Sequence, residues 1–189
     1  MLNKISDWLN RISNGWVAFT ALSVFLLFSA LVLPKQSAQA NVEVGNVGSP
    51  DLSLFYSPDE LYQFADTYGA QGRAAYIRTR FSFDLVWPLV YTLFLGTALS
   101  WTMTKAFPPA SFLRRTNLAP LLGMLFDYLE NLATSLVMAR FPAQTPIIDF
   151  LAPIFTLLKW GLISTSFVLL LLGLVQGVRS RLRTRYKHL

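Results

Sequence analysis

Asp127, Glu130 and Asn131 fall within about one helical turn, and Lys159 stands alone some way downstream, all inside stretches otherwise apolar enough to cross a membrane. Asp84 lies in a third such stretch. An ionisable group at that depth is costly, must face protein or water, and marks a site whose partner has to be named. Asp127, Glu130, Asn131 and Thr134 share one face at helical spacing, so that face turns away from lipid. At about 1.5 Å per residue, Glu130 lies roughly 13 Å and Lys159 roughly 15 Å below the outer ends of their segments. The matching depth predicts a Glu130–Lys159 ion pair, with Asp127 a turn deeper and Asn131 as a neutral partner. Either charge alone would cost about 2.5–3.5 kcal/mol on an insertion scale, which pairing offsets.

Two kinds of chemistry compete for this candidate site of Asp84, Asp127, Glu130, Asn131 and Lys159. A buried polar network can fix the register of two helices and do nothing else. Alternatively, two or three carboxylates facing one lysine leave an acid in excess, able to act as proton carrier, general acid or ligand hook. Thr156 and Asp149 extend the polar face outward, toward a pocket open to the outer leaflet. No EF-hand or comparable spacing suits a hard cation, so neither a metal nor a cofactor is expected. The chain has no cysteine, and its one histidine, His188, sits in a basic tail. Thiol, thiolate-metal and imidazole chemistry are thereby removed from the spans.

The elements that position these residues follow from composition. Of 189 residues, 53% are hydrophobic and only 14% charged, with mean hydropathy +0.44; soluble domains carry more charge. Four segments reach the roughly 20 apolar residues a crossing needs, near residues 16–33, 82–104, 118–139 and 149–178. They predict an all-α membrane protein, an antiparallel four-helix transmembrane bundle forming one domain over 1–189. The fourth is long enough to tilt or to project beyond the membrane. Around Gly161 no small residue stands four positions away except Thr165, so no dimer motif is evident there.

Lys4 and Arg11 precede the first span, Lys105, Arg114 and Arg115 occupy the 105–117 loop, and Arg179 to Lys187 fill the tail at 179–189. The positive-inside rule puts all three in the cytoplasm, with 34–81 and 140–148 outside. The net charge of +6 comes largely from the tail, which reads as a topology anchor beside anionic lipid, with no role for nucleic acid. Residues 1–15 predict a helix in the inner interface: Ile5, Trp8, Leu9, Ile12 and Trp16 recur opposite Lys4, Asp7, Asn10 and Arg11. Ala38-Gln39-Ala40 imitates a signal-peptide cleavage site, but the apolar run from Val17 to Leu33 exceeds a usual signal core, so four spans are retained.

The outer segment begins with Gly45, Gly48 and Pro50 in what reads as irregular loop. Ser57-Pro58-Asp59-Glu60 is a capping box with proline at the first helical position, predicting a short amphipathic helix over 58–67 with Leu61, Phe64 and Ala65 as its apolar edge. It is expected on the outer membrane face, ending at Tyr68-Gly69 and Gly72. From Gly72 the chain can run as one helix into the second span, aligning Arg73, Tyr76, Arg80, Asp84 and Tyr91 as a polar stripe. Arg80 and Asp84, four apart, can pair. Arg73, Tyr76, Arg80 and Tyr91 are the candidate entrance, where Arg73, Arg78 and Arg80 would attract a phosphate or carboxylate. Pro88 should kink the span below Asp84.

Gly72-Arg73, Tyr76, Asp84, Pro88, the run Asp127 to Asn131, Thr156 and Lys159-Trp160 resemble a pattern of uncharacterised four-span bacterial integral membrane proteins. The resemblance covers spans two to four. It implies the same bundle and brings no activity with it; together with the charge distribution, the expectation is a bacterial cytoplasmic membrane protein with both termini cytoplasmic. The residues themselves favour a lipid-binding, small-ligand-binding or accessory protein over an enzyme, with membrane lipids as partners. The alternatives are a structural subunit of a larger membrane complex, and a carboxylate-based enzyme or proton-coupled carrier.

Overall fold

The computed structural model describes residues 1–44 and 47–186 and, among them, contains helices and no strand. The α-helices are α1 (Leu2–Ile12), α2 (Gly15–Leu31), α3 (Leu33–Val44), α4 (Pro58–Thr67), α5 (Gly69–Arg80), α6 (Phe83–Ala106), α7 (Ala119–Arg140) and α8 (Ile148–Tyr186), with 3-10 turns at Pro50–Leu52 and Phe112–Leu118. Gly45 of the outer segment, and Lys187 and His188 of the tail, lie outside the described residues. Four helical stretches are long and apolar enough to cross a membrane: Gly15–Val44, Gly69–Ala106, Phe112–Arg140 and Ile148–Ser180. The protein thus has the make-up of a multi-pass membrane protein. In the most apolar window of each, 56% and 50% of the second and third spans is buried inside the protein, against 11% and 17% of the first and fourth. The outer surfaces of the first and fourth are therefore those left for lipid.

Three departures from the sequence expectations have local causes. The helix does not stop at residue 33, where the outer loop segment is expected to begin: residues 33–44 are helical. Pro34 falls in the first turn of α3, where a missing amide is tolerated, and the Gln36 amide still donates to Val32 O at 3.0 Å. Ala38-Gln39-Ala40 lies within this helix. Second, α5 and α6 are separate helices. The Ser82 hydroxyl donates to Arg78 O at 2.7 Å, a side-chain bond that competes with the backbone ladder where the chain breaks at Phe81 and Ser82. Third, Gly69, at φ +60, begins α5 where α4 stops, and Gly72 lies inside α5 instead of ending α4. A Cβ at Gly72 would meet Tyr68 Cβ at 3.0 Å, so the glycine relieves crowding against Tyr68 at the start of α5, while Glu43 O of α3 lies at an ordinary contact distance of 3.5 Å.

By packing, the chain divides into two compact units, one of Met1–Leu26, Val90–Leu122 and Leu162–Leu189, the other of Leu27–Leu89 and Gly123–Gly161. In the first, α1 docks on the Phe112–Leu118 turn through a polar edge. Asn117, fully buried, accepts from the Ser6 hydroxyl at 2.8 Å through Oδ1, and its Nδ2 reaches Ser100 Oγ at 2.8 Å, Asn10 Oδ1 at 3.1 Å and Ser6 O at 3.2 Å. Trp8 and Ile12 stay exposed on the other side of α1. Arg114 closes the end of α6 by donating to Phe107 O and Thr104 O. Phe25 stacks on Phe94 at 4.9 Å between ring centroids, within the same unit.

The second unit has its core in Tyr56, Leu61, Ala65, Tyr68, Tyr76, Ala133, Val137, Met138 and Ala152. Leu61 and Ala65 of the apolar edge of α4 therefore share a core with residues of α7 and α8. Tyr62 pins it further: its hydroxyl accepts from the Thr145 amide at 2.7 Å and donates to Asp149 Oδ2 at 3.0 Å. The capping box forms in full, with the Glu60 amide donating to Ser57 Oγ at 3.2 Å and the Ser57 amide to Glu60 Oε2 at 2.6 Å. These bonds to the Ser57 amide and hydroxyl hold the Glu60 carboxyl below its ordinary 4.5. A lowered carboxylate stabilises above its unfolded value and loses that contribution as pH falls through the folded one. Protection of α4 against proteolysis should thus be constant above about pH 4.5 and fall only below it, and Glu60→Gln should remove this acid step. An unchanged step in that variant would assign it to another group.

Candidate functional site

α7 contributes Asp127 and Glu130 to the second unit, α8 contributes Thr156 and Lys159, and the segment before α4 contributes Tyr56. Spacing of three on each helix puts each pair on one face. Lys159 Nζ forms an ion pair with Glu130 Oε2 and lies 3.8 Å from Asp127 Oδ1. The Thr156 hydroxyl lies 2.7 Å from Glu130 Oε1 and 3.2 Å from the Tyr56 hydroxyl. Lys159 also stands 5.3 Å from the centre of the Trp160 ring. Glu130 is fully buried and Lys159 only 4% exposed. Such a network, in which cation, carboxylates and hydroxyls meet one another, holds α7, α8 and the segment before α4 in register.

The sequence-derived set does not form one site. Asn131 is buried beside this network in sequence, yet neither atom of its amide has a hydrogen-bond partner among the described residues. Asp84 is bound by Arg80, with Arg80 Nη1 2.9 Å from Asp84 Oδ2, and the guanidinium lies 4.5 Å from the centre of the Tyr76 ring. Arg73 is engaged elsewhere, donating to Ala65 O at 2.8 Å and stacking over Phe141 at 4.8 Å. Tyr91 is buried in α6 and belongs to the other unit. Asp149 is taken up by Tyr62. Among the described residues no group of three or more histidines, aspartates or glutamates is arranged to hold a metal ion.

Tyr76, Arg80 and Asp84 do meet at a cavity of about 150 Å³ walled by α3, the turn around Gly48 and Leu52, α5 and the start of α6. Leu33, Ala40, Val44 and Phe83 make its walls largely apolar. The Tyr68 hydroxyl donates to Gly48 O at 2.6 Å and fastens the turn that closes one side, where Gly48 takes φ +85. Arg80 is 7% and Asp84 8% exposed, and the guanidinium is matched by its own carboxylate, with Glu43 a further acid in the lining. A free anion would have to break that pair; a neutral or zwitterionic polar group can bond to it intact.

Sequence reasoning missed two contributors. Tyr56 reaches the buried network from a stretch that reads as loop, and α3 walls the cavity without an amphipathic signature of its own. Gly72 is the residue of α5 beside the α3 backbone, with the Glu43 carbonyl oxygen 3.5 Å from where a Cβ would stand. Compared with known proteins, the chain matches no protein-family model, no curated protein and no solved structure, so its function is read from the chemistry of its own residues.

Proposed function

We propose that this protein is a four-span, antiparallel bundle of the bacterial cytoplasmic membrane that binds a small amphiphile, lipid-like or lipid-derived, in the cavity between α3 and α5. The observation that carries this reading is the cavity: apolar walls of Leu33, Ala40, Val44 and Phe83 ending at Tyr76 and the Arg80–Asp84 pair. Concave, mostly apolar sites with a few convergent polar groups are where small ligands bind. An apolar chain would lie along α3, and a neutral or zwitterionic head would bond to the ion pair and the Tyr76 hydroxyl. The enzyme or proton-carrier reading would rest on Asp127 and Glu130, which share Lys159 in a closely packed network, whereas the apolar cavity lies at Arg80 and Asp84.

Native mass spectrometry of the full chain in mild detergent tests the reading. The wild type should retain a bound amphiphile, and Ala40→Trp, which places a ring in the cavity, should lose it with little change in Tm. A wild type free of amphiphile, or equal retention by Ala40→Trp, would refute it.

The orientation is supported by charge. Lys4, Arg11, Lys105, Arg114, Arg115 and Arg179, with the basic residues of the tail, flank span ends on what we take as the cytoplasmic side. Because the native chain has no cysteine, single cysteines report topology cleanly. A cysteine at Ala143 should be labelled from outside intact cells and one at Ala110 should not; the reverse pattern would invert the topology.

A further inference from the structure

Asp7 is the single acidic residue of the unit formed by Met1–Leu26, Val90–Leu122 and Leu162–Leu189, against ten of the chain's 16 lysines and arginines. Within that unit a groove of about 170 Å³ lies between the end of α6 and α8, lined by Trp101, Thr102, Lys105, Gly173, Leu174 and Gly177 among others. Gly173 and Gly177 stand four apart, a small-residue spacing. Their roles differ. At Gly173 a Cβ would meet Met103 Cε and Thr102 Oγ1 at 3.2 Å, so this glycine lets α8 close on α6. At Gly177 a Cβ would meet nothing within 4 Å, and the groove is open there.

Lys105 is exposed in the last turn of α6, one turn beyond Trp101. An indole and a snorkelling ammonium one turn apart are the pair that sits at the level of lipid headgroups. Basic pockets between helix ends on the cytoplasmic side hold anionic headgroups. We infer that this groove seats an anionic phospholipid, one acyl chain lying over Gly177 and Leu174 and the phosphate meeting Lys105. A second copy of the chain, docked across Gly173 and Gly177, is the competing occupant. It is disfavoured because it would bring a second unit of the same strong positive charge against the first, whereas an anionic lipid is complementary.

The test is binding of phosphatidylglycerol and of phosphatidylcholine with matched acyl chains to the full-length protein in detergent, resolved by native mass spectrometry. Phosphatidylglycerol should bind the wild type at least about fivefold more tightly, the effect of one basic residue at an anionic headgroup. Lys105→Gln should abolish that preference at unchanged Tm. Gly177→Leu, whose side chain grows into the groove, should abolish the tight phosphatidylglycerol site itself. Equal binding of the two lipids by the wild type would overturn the inference. So would a preference that survives both variants, which would assign it to the basic tail, or a dimer that Gly177→Leu dissociates in the absence of any lipid preference.

Discussion

Lys159→Met should be the most damaging single substitution in the chain, lowering stability in detergent by about 3–5 kcal/mol, the usual cost of breaking a buried ion pair from one side. Lys159 pairs with fully buried Glu130 and stands 3.8 Å from Asp127, so its loss leaves two carboxylates in an apolar setting without their cation. Glu130→Gln should cost less, because Lys159 keeps Asp127 beside it and the glutamine can still accept from Thr156. The double variant should recover part of the loss, since the Glu130–Lys159 pair is then gone from both sides and only Asp127 is left without its cation. The cycle is read from Tm values of the four proteins, with a coupling of roughly 1–3 kcal/mol expected. Additive effects would mean that the pair does not act as a unit.

Asn117→Ala is expected to be the second most damaging, at about 2–4 kcal/mol. The Asn117 side chain bonds to Ser6, Asn10 and Ser100, two of them fully buried serines that would be left short of a partner. Because Ser6 and Asn10 lie on α1, the loss should be directional: α1 should detach before the spans melt, seen as protease cleavage near Ser13 and Asn14 at temperatures where the spans stay protected. Uniform loss of protection along the chain would show that α1 is not an independent flap held by this one residue.

The parts of the fold legible in the sequence are those written locally. A capping box and an N1 proline fix the start of α4 at Pro58, because every bond involved spans three residues. Apolar composition sets α6 and α7 within a residue or two. Depth counting at 1.5 Å per residue sets Glu130 opposite Lys159, and that ion pair forms. What could not be read depends on distant partners. α3 is polar and carries Pro34 in its first turn, and it rests on α5 at Gly72. Asn117 has no signature until Ser6, 111 residues away, is brought to it. The same limit explains why one polar site was inferred where two arrangements exist. Spacing along a helix shows that Asp84, Asp127 and Glu130 avoid lipid, but the choice between Arg80 and Lys159 as partner is made by tertiary structure.

The proposed function rests on that separation, with the Glu130–Lys159 network holding the fold and the Arg80–Asp84 cavity as the proposed ligand site. Amphiphile retention in the Glu130→Gln/Lys159→Met double variant, measured beside Ala40→Trp by native mass spectrometry, tests it most directly. The account predicts that the double variant keeps the bound molecule at wild-type occupancy and Ala40→Trp loses it. Loss in the double variant at unchanged Tm, with retention in Ala40→Trp, would contradict it and return the ligand to the buried carboxylates.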